Sequence, residues 1–172
     1  MLKIPAVSMG ALAALIVAAT PATAGAALGP QAAACDRNGA AVLVHVDGFK
    51  ARTGILRVQL YAANERTFLE KRQYLERIEV PVTRSGAMDV CVSVPRPGNY
   101  ALYVRHDVDG SGKSDRSDGG GFSGNPSVSL SDLVFKRKPA LSKTQFAVGD
   151  STRRVDVVLN YVQGLSFKPL RG

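Results

Sequence analysis

The sequence predicts an all-β protein, a single antiparallel β-sandwich of about seven strands. From Ala41 onward, apolar residues recur with a period of two, which is how a strand with one buried face reads. Turn chemistry separates these runs at Asp47-Gly48, Ser85-Gly86, Pro97-Gly98 and Gly149-Asp150. The body of the chain shows almost no helical periodicity and no repeat at fixed spacing, which argues against bundles, alternating βα folds and solenoids.

Taken in order, the chain opens with a segment outside that body. Met1 to Ala24 has one early basic residue (Lys3), an apolar run from Ala11 to Ala19, and the small-residue signal Ala22-Thr23-Ala24. This is the pattern of a secretory signal peptide, with Ala24-Gly25-Ala26 as a second cleavage choice. The run is too short for a membrane span, which needs about 20 apolar residues, so no integral membrane protein is expected. Residues 25–40 then read as a flexible leader, and residues 41–162 as the sandwich.

Within that domain, Val42, Val44 and Val46 alternate with Leu43 and His45 as a first strand. Gly54 to Tyr61 follows as a second, with Leu56, Val58 and Leu60 pointing inward. The charged stretch Asn64 to Tyr74 reads as a loop with at most one helical turn. Leu75 to Val82 and Ala87 to Val94 flank Thr83-Arg84-Ser85-Gly86 as a hairpin, with Ile78, Val80, Val90 and Val92 inward. Pro95-Arg96-Pro97-Gly98 makes a rigid turn into a strand carrying Tyr100, Leu102 and Val104, which ends at His106. Val128 to Leu133 reads as a short turn or bridge, Lys143 to Val148 and Arg154 to Tyr161 as strands, and residues 163–172 as a frayed tail.

Composition narrows the function. Without residues 1–24 the chain keeps 21 basic against 14 acidic residues. The bases are dispersed apart from the patch Lys136-Arg137-Lys138, whereas four acids crowd into one loop. An exported basic surface points away from nucleic acid; it is either ordinary solvated surface or attracted to anionic envelope components. Two cysteines in an exported chain point to one disulfide, Cys35 to Cys91, closing a ring of 57 residues. The competing reading is a lipidated Cys35 after Ala32-Ala33-Ala34. It lacks the large apolar residue usual three places earlier and leaves Cys91 without a partner.

The one segment with site chemistry is the acidic loop, residues 107–118. Asp107, Asp109, Ser111, Asp115 and Asp118 occupy places one, three, five, nine and twelve of a loop whose sixth place is Gly112. That is the register of a hard-cation loop, in which short oxygen side chains converge on one ion and the glycine allows the bend. Lys113 stands where such loops contribute a backbone carbonyl. Ca²⁺ is the expected cofactor. Ser111 as a neutral ligand and Asp118 in place of the longer Glu indicate a modest affinity, on the order of 10⁻⁴ to 10⁻³ M. The alternative is a solvated turn whose charges are offset by Arg105, Lys113 and Arg116. His106, beside Asp107, is expected to orient the first carboxylate. No nucleophile sits beside an activating histidine and no zinc spacing exists, so no catalytic residue is assigned.

The run Pro97-Gly98-Asn99-Tyr100-Ala101, then His106-Asp107-x-Asp109-x-Ser111-Gly112-x-x-Asp115, then Gly121-Phe122-Ser123-x-Asn125, resembles the exported bacterial family catalogued as domain of unknown function 2141. Asp109 and Ser111 replace two asparagines of that family's loop, and Gly124 interrupts its last motif. The resemblance covers about Val42 to Tyr161. It implies export, a sandwich of transthyretin-like or immunoglobulin-like kind, and the loop; it brings no activity.

The expected protein is therefore a periplasmic or secreted β-sandwich that binds calcium for local order and has a binding or structural role in the envelope. Two alternatives belong to other classes. A small hydrolase on a transthyretin-like sandwich would require His45, His106 and an arginine to converge in a pocket. An adhesion or glycan-binding module would show an exposed aromatic platform, which a chain with no Trp, 5 Tyr and 6 Phe does not favour.

Overall fold

The structure, a computed structural model, describes residues 26–170; the segment expected to be a signal peptide lies outside the described residues. A short helix α1 (Ala32–Asp36) precedes β1 (Ala41–Asp47), β2 (Ile55–Ala62), β3 (Glu76–Pro81), β4 (Met88–Ser93), β5 (Gly98–Asp107) and β6 (Gly119–Phe122). A second helix α2 (Leu130–Val134) and a 3₁₀ turn (Leu141–Lys143) lead to β7 (Phe146–Val148), β8 (Arg153–Val158), β9 (Asn160–Gln163) and β10 (Ser166–Pro169).

These strands form two sheets. The smaller has the order β4-β1-β8, and the larger runs β10-β9-β6-β5-β2-β3, with β7 paired to the start of β5. All pairings are antiparallel except β1 with β8, which is parallel. The alternating residues of both sheets meet in one core. Val42, Val44 and Val46 come from the smaller sheet, and Leu56, Val58, Leu60, Leu102 and Val104 from the larger. Each is fully buried, and burying such a side chain contributes about 1.5–3 kcal/mol. The all-β sandwich is thus observed, and the inward residues of every expected strand are inward.

Strand number differs from expectation for three physical reasons. The apolar alternation Val155, Val157, Leu159, Tyr161 runs unbroken, yet the backbone changes sheets within it. Leu159 N–H still donates to Asp47 O of β1 at 2.9 Å, whereas Asn160 pairs with Gly120 of β6. Periodicity reports which side is buried, not which sheet does the pairing. The triple glycine of β6 reads as a loop by composition, but at Gly119 and Gly121 the space allows nothing larger. A Cβ on Gly119 would stand 2.4 Å from Tyr161 Cε1, and one on Gly121 would stand 2.6 Å from Val157 Cγ1. Finally, β10 pairs with β9 from Ser166 to Pro169 where a frayed tail was expected.

The stretch read as a flexible leader also carries structure from Leu28 on. Leu28 bridges Val90 of β4, and the Gln31 side chain accepts from Ser93 N–H at 2.7 Å. Cys35 on α1 is joined to Cys91 on β4, with Cα atoms 6.0 Å apart, so its sulfur is committed to a disulfide and not to a lipid. Among the described residues no helix is long and apolar enough to cross a membrane.

Candidate functional site

Strand β5 delivers the chain into the acidic loop, and its alternation decides what each residue there does. Tyr100, Leu102 and Val104 face the core between the sheets, whereas Ala101 and Tyr103 pack with a second apolar cluster on the other side. Continuing the count, His106 belongs to the core side, and Arg105 and Asp107 to the outer side. His106 therefore does not reach the loop, which corrects the expectation that it orients Asp107. It is fully buried, with Nε2 donating to Thr53 O at 2.9 Å and Nδ1 accepting from the Tyr161 hydroxyl at 2.6 Å. A carbonyl can only accept, so the proton sits on Nε2. Burial pushes the imidazole pKa below its ordinary value, against the Thr53 bond that works to raise it.

Arg105 takes the orienting place instead. It is 5% exposed; Nη2 donates to Asp107 Oδ2 at 2.5 Å and Nη1 to Ser114 Oγ at 3.0 Å. Its Nε lies 3.8 Å from Asp118 Oδ2. Gly112 N–H adds a second donor to Asp107 Oδ2 at 2.9 Å, and φ of +76° at that glycine supplies the sharp bend.

The ends of the loop are clamped. His106 pairs with Gly119 across β5 and β6, and Val108 N–H donates to Asp118 Oδ1 at 3.1 Å. Gly54, with φ of +78°, approaches so closely that a Cβ would fall 1.9 Å from Asp107 O. Beside it, Thr53 Oγ1 donates to Val108 O at 3.0 Å.

Of the six predicted ligands four are carboxylates, and three of these converge. Asp107, Asp109 and Asp118 each offer a carboxylate oxygen within 4.8 Å of the others. Asp107 and Asp118 are buried, at 2% and 7% exposure, and Asp109 is exposed. The other three are held in turns of the loop. Ser111 Oγ bonds Lys113 through both its N–H and its carbonyl, and Asp115 Oδ1 accepts from Ser117 N–H and Oγ–H at 2.7 and 2.6 Å.

The electrostatics are divided between the two buried acids. Burial works to raise Asp107, but the Arg105 and Gly112 hydrogen bonds outweigh it and hold the carboxyl below its ordinary value. For Asp118 burial prevails over Val108 N–H and Arg105, and the pKa is raised. Among the described residues, two buried side-chain polar atoms have no hydrogen-bond partner, and both are here: Arg105 Nε and Asp107 Oδ1. A buried carboxylate oxygen left bare costs about 1–3 kcal/mol or more. A cation bound by these acids would supply the missing partner.

The remaining candidates lie elsewhere. His45, on the outer face of the smaller sheet, has Nδ1 at 2.6 Å from Asp89 Oδ1. It and His106 belong to different sheets and face different sides, so no pocket unites them. Two surface clefts, about 330 and 410 Å³, contain neither histidine nor any loop acid. The patch Lys136-Arg137-Lys138 is largely neutralised. Arg137 pairs with Asp132 at 3.0 Å, and Lys138 pairs with Glu70 while donating to Phe68 O. Lys136 has no ion pair among the described residues.

Sequence reasoning treated Arg105 as a countercharge to a solvated turn; its place two residues before Asp107 on one strand was the signal for a buried role. Thr53, Gly54 and Tyr161 carried no such signal, because they meet the loop and β5 only through the sheet.

The family described as "Uncharacterized protein conserved in bacteria (DUF2141)" matches residues 44–156, which include the whole loop. No curated protein and no solved structure matches.

Proposed function

The chain belongs to DUF2141, a family of uncharacterized proteins conserved in bacteria, and from that premise we propose that it is an exported β-sandwich module whose acidic loop binds Ca²⁺. The bound ion orders the loop for a binding or structural role in the bacterial envelope. The observation that carries this reading is Asp107 Oδ1, a buried carboxylate oxygen with no partner beside two further carboxylates. Oxygen donors without nitrogen or sulfur suit a hard cation, and a loop spanning twelve residues with few fixed ligands suits Ca²⁺ better than the strict octahedron of Mg²⁺. Three carboxylates leave places for water, consistent with a dissociation constant on the order of 10⁻⁴ to 10⁻³ M.

Calorimetric titration of the purified protein, and of an Asp107→Ala, Asp109→Ala double variant, tests it. Saturable Ca²⁺ heat in the natural protein that disappears in the variant is the expected result. Absence of heat in both would make the loop a solvated turn. The hydrolase alternative requires His45 and His106 in one pocket with an arginine, and the two histidines lie on different sheets. Among the described residues the exposed large apolar side chains include one aromatic, Phe135, which gives a glycan platform no support.

A further inference from the structure

Resting on the Ca²⁺ reading above, we propose that Arg105 is a permanent countercharge of the metal site: it stays beside the bound cation and makes the loop select divalent over trivalent ions. Three carboxylates alone would present a charge of −3. The guanidinium among them brings the cluster to −2, which a divalent ion neutralises and a trivalent ion overshoots.

On Asp107 the guanidinium leaves one oxygen free for a cation. Arg105 Nη2 and Gly112 N–H both occupy Asp107 Oδ2, and Oδ1 of the same carboxylate is bare. The arginine therefore has no need to leave when an ion enters. Ser114 Oγ holds the other end of the guanidinium, and its stem is enclosed at 5% exposure. An arginine cannot shed its proton, so the charge is present at every working pH. Lys113 and Arg116 are exposed, where water screens them, and they do not enter this count.

The affinities of Ca²⁺ and Tb³⁺ are to be compared in the natural protein, in Arg105→Gln and in Arg105→Lys. Removing the charge in Arg105→Gln is expected to raise the Tb³⁺ over Ca²⁺ affinity ratio about tenfold or more, since the excess positive charge is then gone. Arg105→Lys keeps the charge and loses the fork; both ions should weaken with the ratio little changed. An unchanged ratio in Arg105→Gln, or an equal gain for both ions as expected of a displaced competitor, overturns the proposal.

A measurement on the natural protein avoids dependence on variants that fail to fold. With ¹⁵N-labelled arginine, the Arg105 Nε–H resonance should persist, protected from solvent exchange, at saturating Ca²⁺. Its loss to exchange on Ca²⁺ binding would show the guanidinium released and sink the idea. If the natural protein binds neither ion, the Ca²⁺ reading itself fails and this inference falls with it; binding with an unaltered ratio refutes the inference alone.

Discussion

His106 and Tyr161 form a buried polar pair inside an apolar core, and the phenol serves both directions. Its hydroxyl donates to His106 Nδ1 and accepts from Lys50 N–H at 3.2 Å. Tyr161→Phe keeps the ring and removes both bonds, leaving a buried imidazole nitrogen bare. The expected loss is about 1–3 kcal/mol of unfolding free energy, read from the urea midpoint at unchanged slope. On the proposed Ca²⁺ reading, the same variant should leave the calorimetric Ca²⁺ titration unchanged, because Tyr161 faces the core and the triad faces out. Residue roles here were partly legible. A strict count of two along β5 places Arg105 with Asp107 and separates His106 from it, so the arginine's position could be read. Its burial could not, since that depends on Gly119 and Gly120 of β6 lying alongside.

At the scale of elements, β6 is a strand that exists because Gly119 and Gly121 have no side chains. Its neighbours on both sides are bulky, and Tyr161 and Val157 fill the places where Cβ atoms would go. Gly119→Ala is expected to push Tyr161 from its site and destabilise by about 1–3 kcal/mol, the usual range for overpacking. Since Gly119 pairs with His106 at the mouth of the loop, this variant should also weaken Ca²⁺ in the same titration, unlike Tyr161→Phe. Composition alone assigns three successive glycines to a loop, because propensity carries no knowledge of a neighbour's volume. The acid-rich loop itself was legible for the opposite reason: spacing within twelve residues is local, and Gly112 bends where the count requires. Which of the four acids would converge was not local. Ser111 and Asp115 are claimed by turns of their own, and these compete with an ion for the same oxygens.

For the whole molecule, the disulfide and the two sheets set stability together. In the chain-entropy model the ring closed by Cys35 and Cys91 contributes about 4 kcal/mol. Reduction, or a Cys35→Ser, Cys91→Ser variant, should lower the melting temperature by well over 5 °C, with near-native circular dichroism below the transition. Alkaline pH should act on the core. Burial first of all pushes the phenols of Tyr61 and Tyr161 up to about 12. An unfolded tyrosine ionises near pH 10. Between those values the folded chain keeps protons that the unfolded chain releases, so stability present below pH 10 is lost as pH rises toward 12. Tyrosinate absorbance should therefore show a late, cooperative step coinciding with loss of circular dichroism. The fold class was open to reading because a period of two persists wherever one face is buried. The parallel β1 and β8 pair was not, since side-chain alternation is blind to strand direction.

That parallel pair also sets a clock. In the smaller sheet β1 is central, and one of its two neighbours is β8, with Val42 beside Arg153. The strand made first must wait for one made near the end, across everything from β2 to β7. Closing so long a loop precedes any reward from the contact, which places folding toward the slow, millisecond-to-second end for β proteins. Until β8 arrives, one edge of β1 stays open to any passing strand, so a nascent or truncated chain ending before Arg153 is the form most exposed to misassembly.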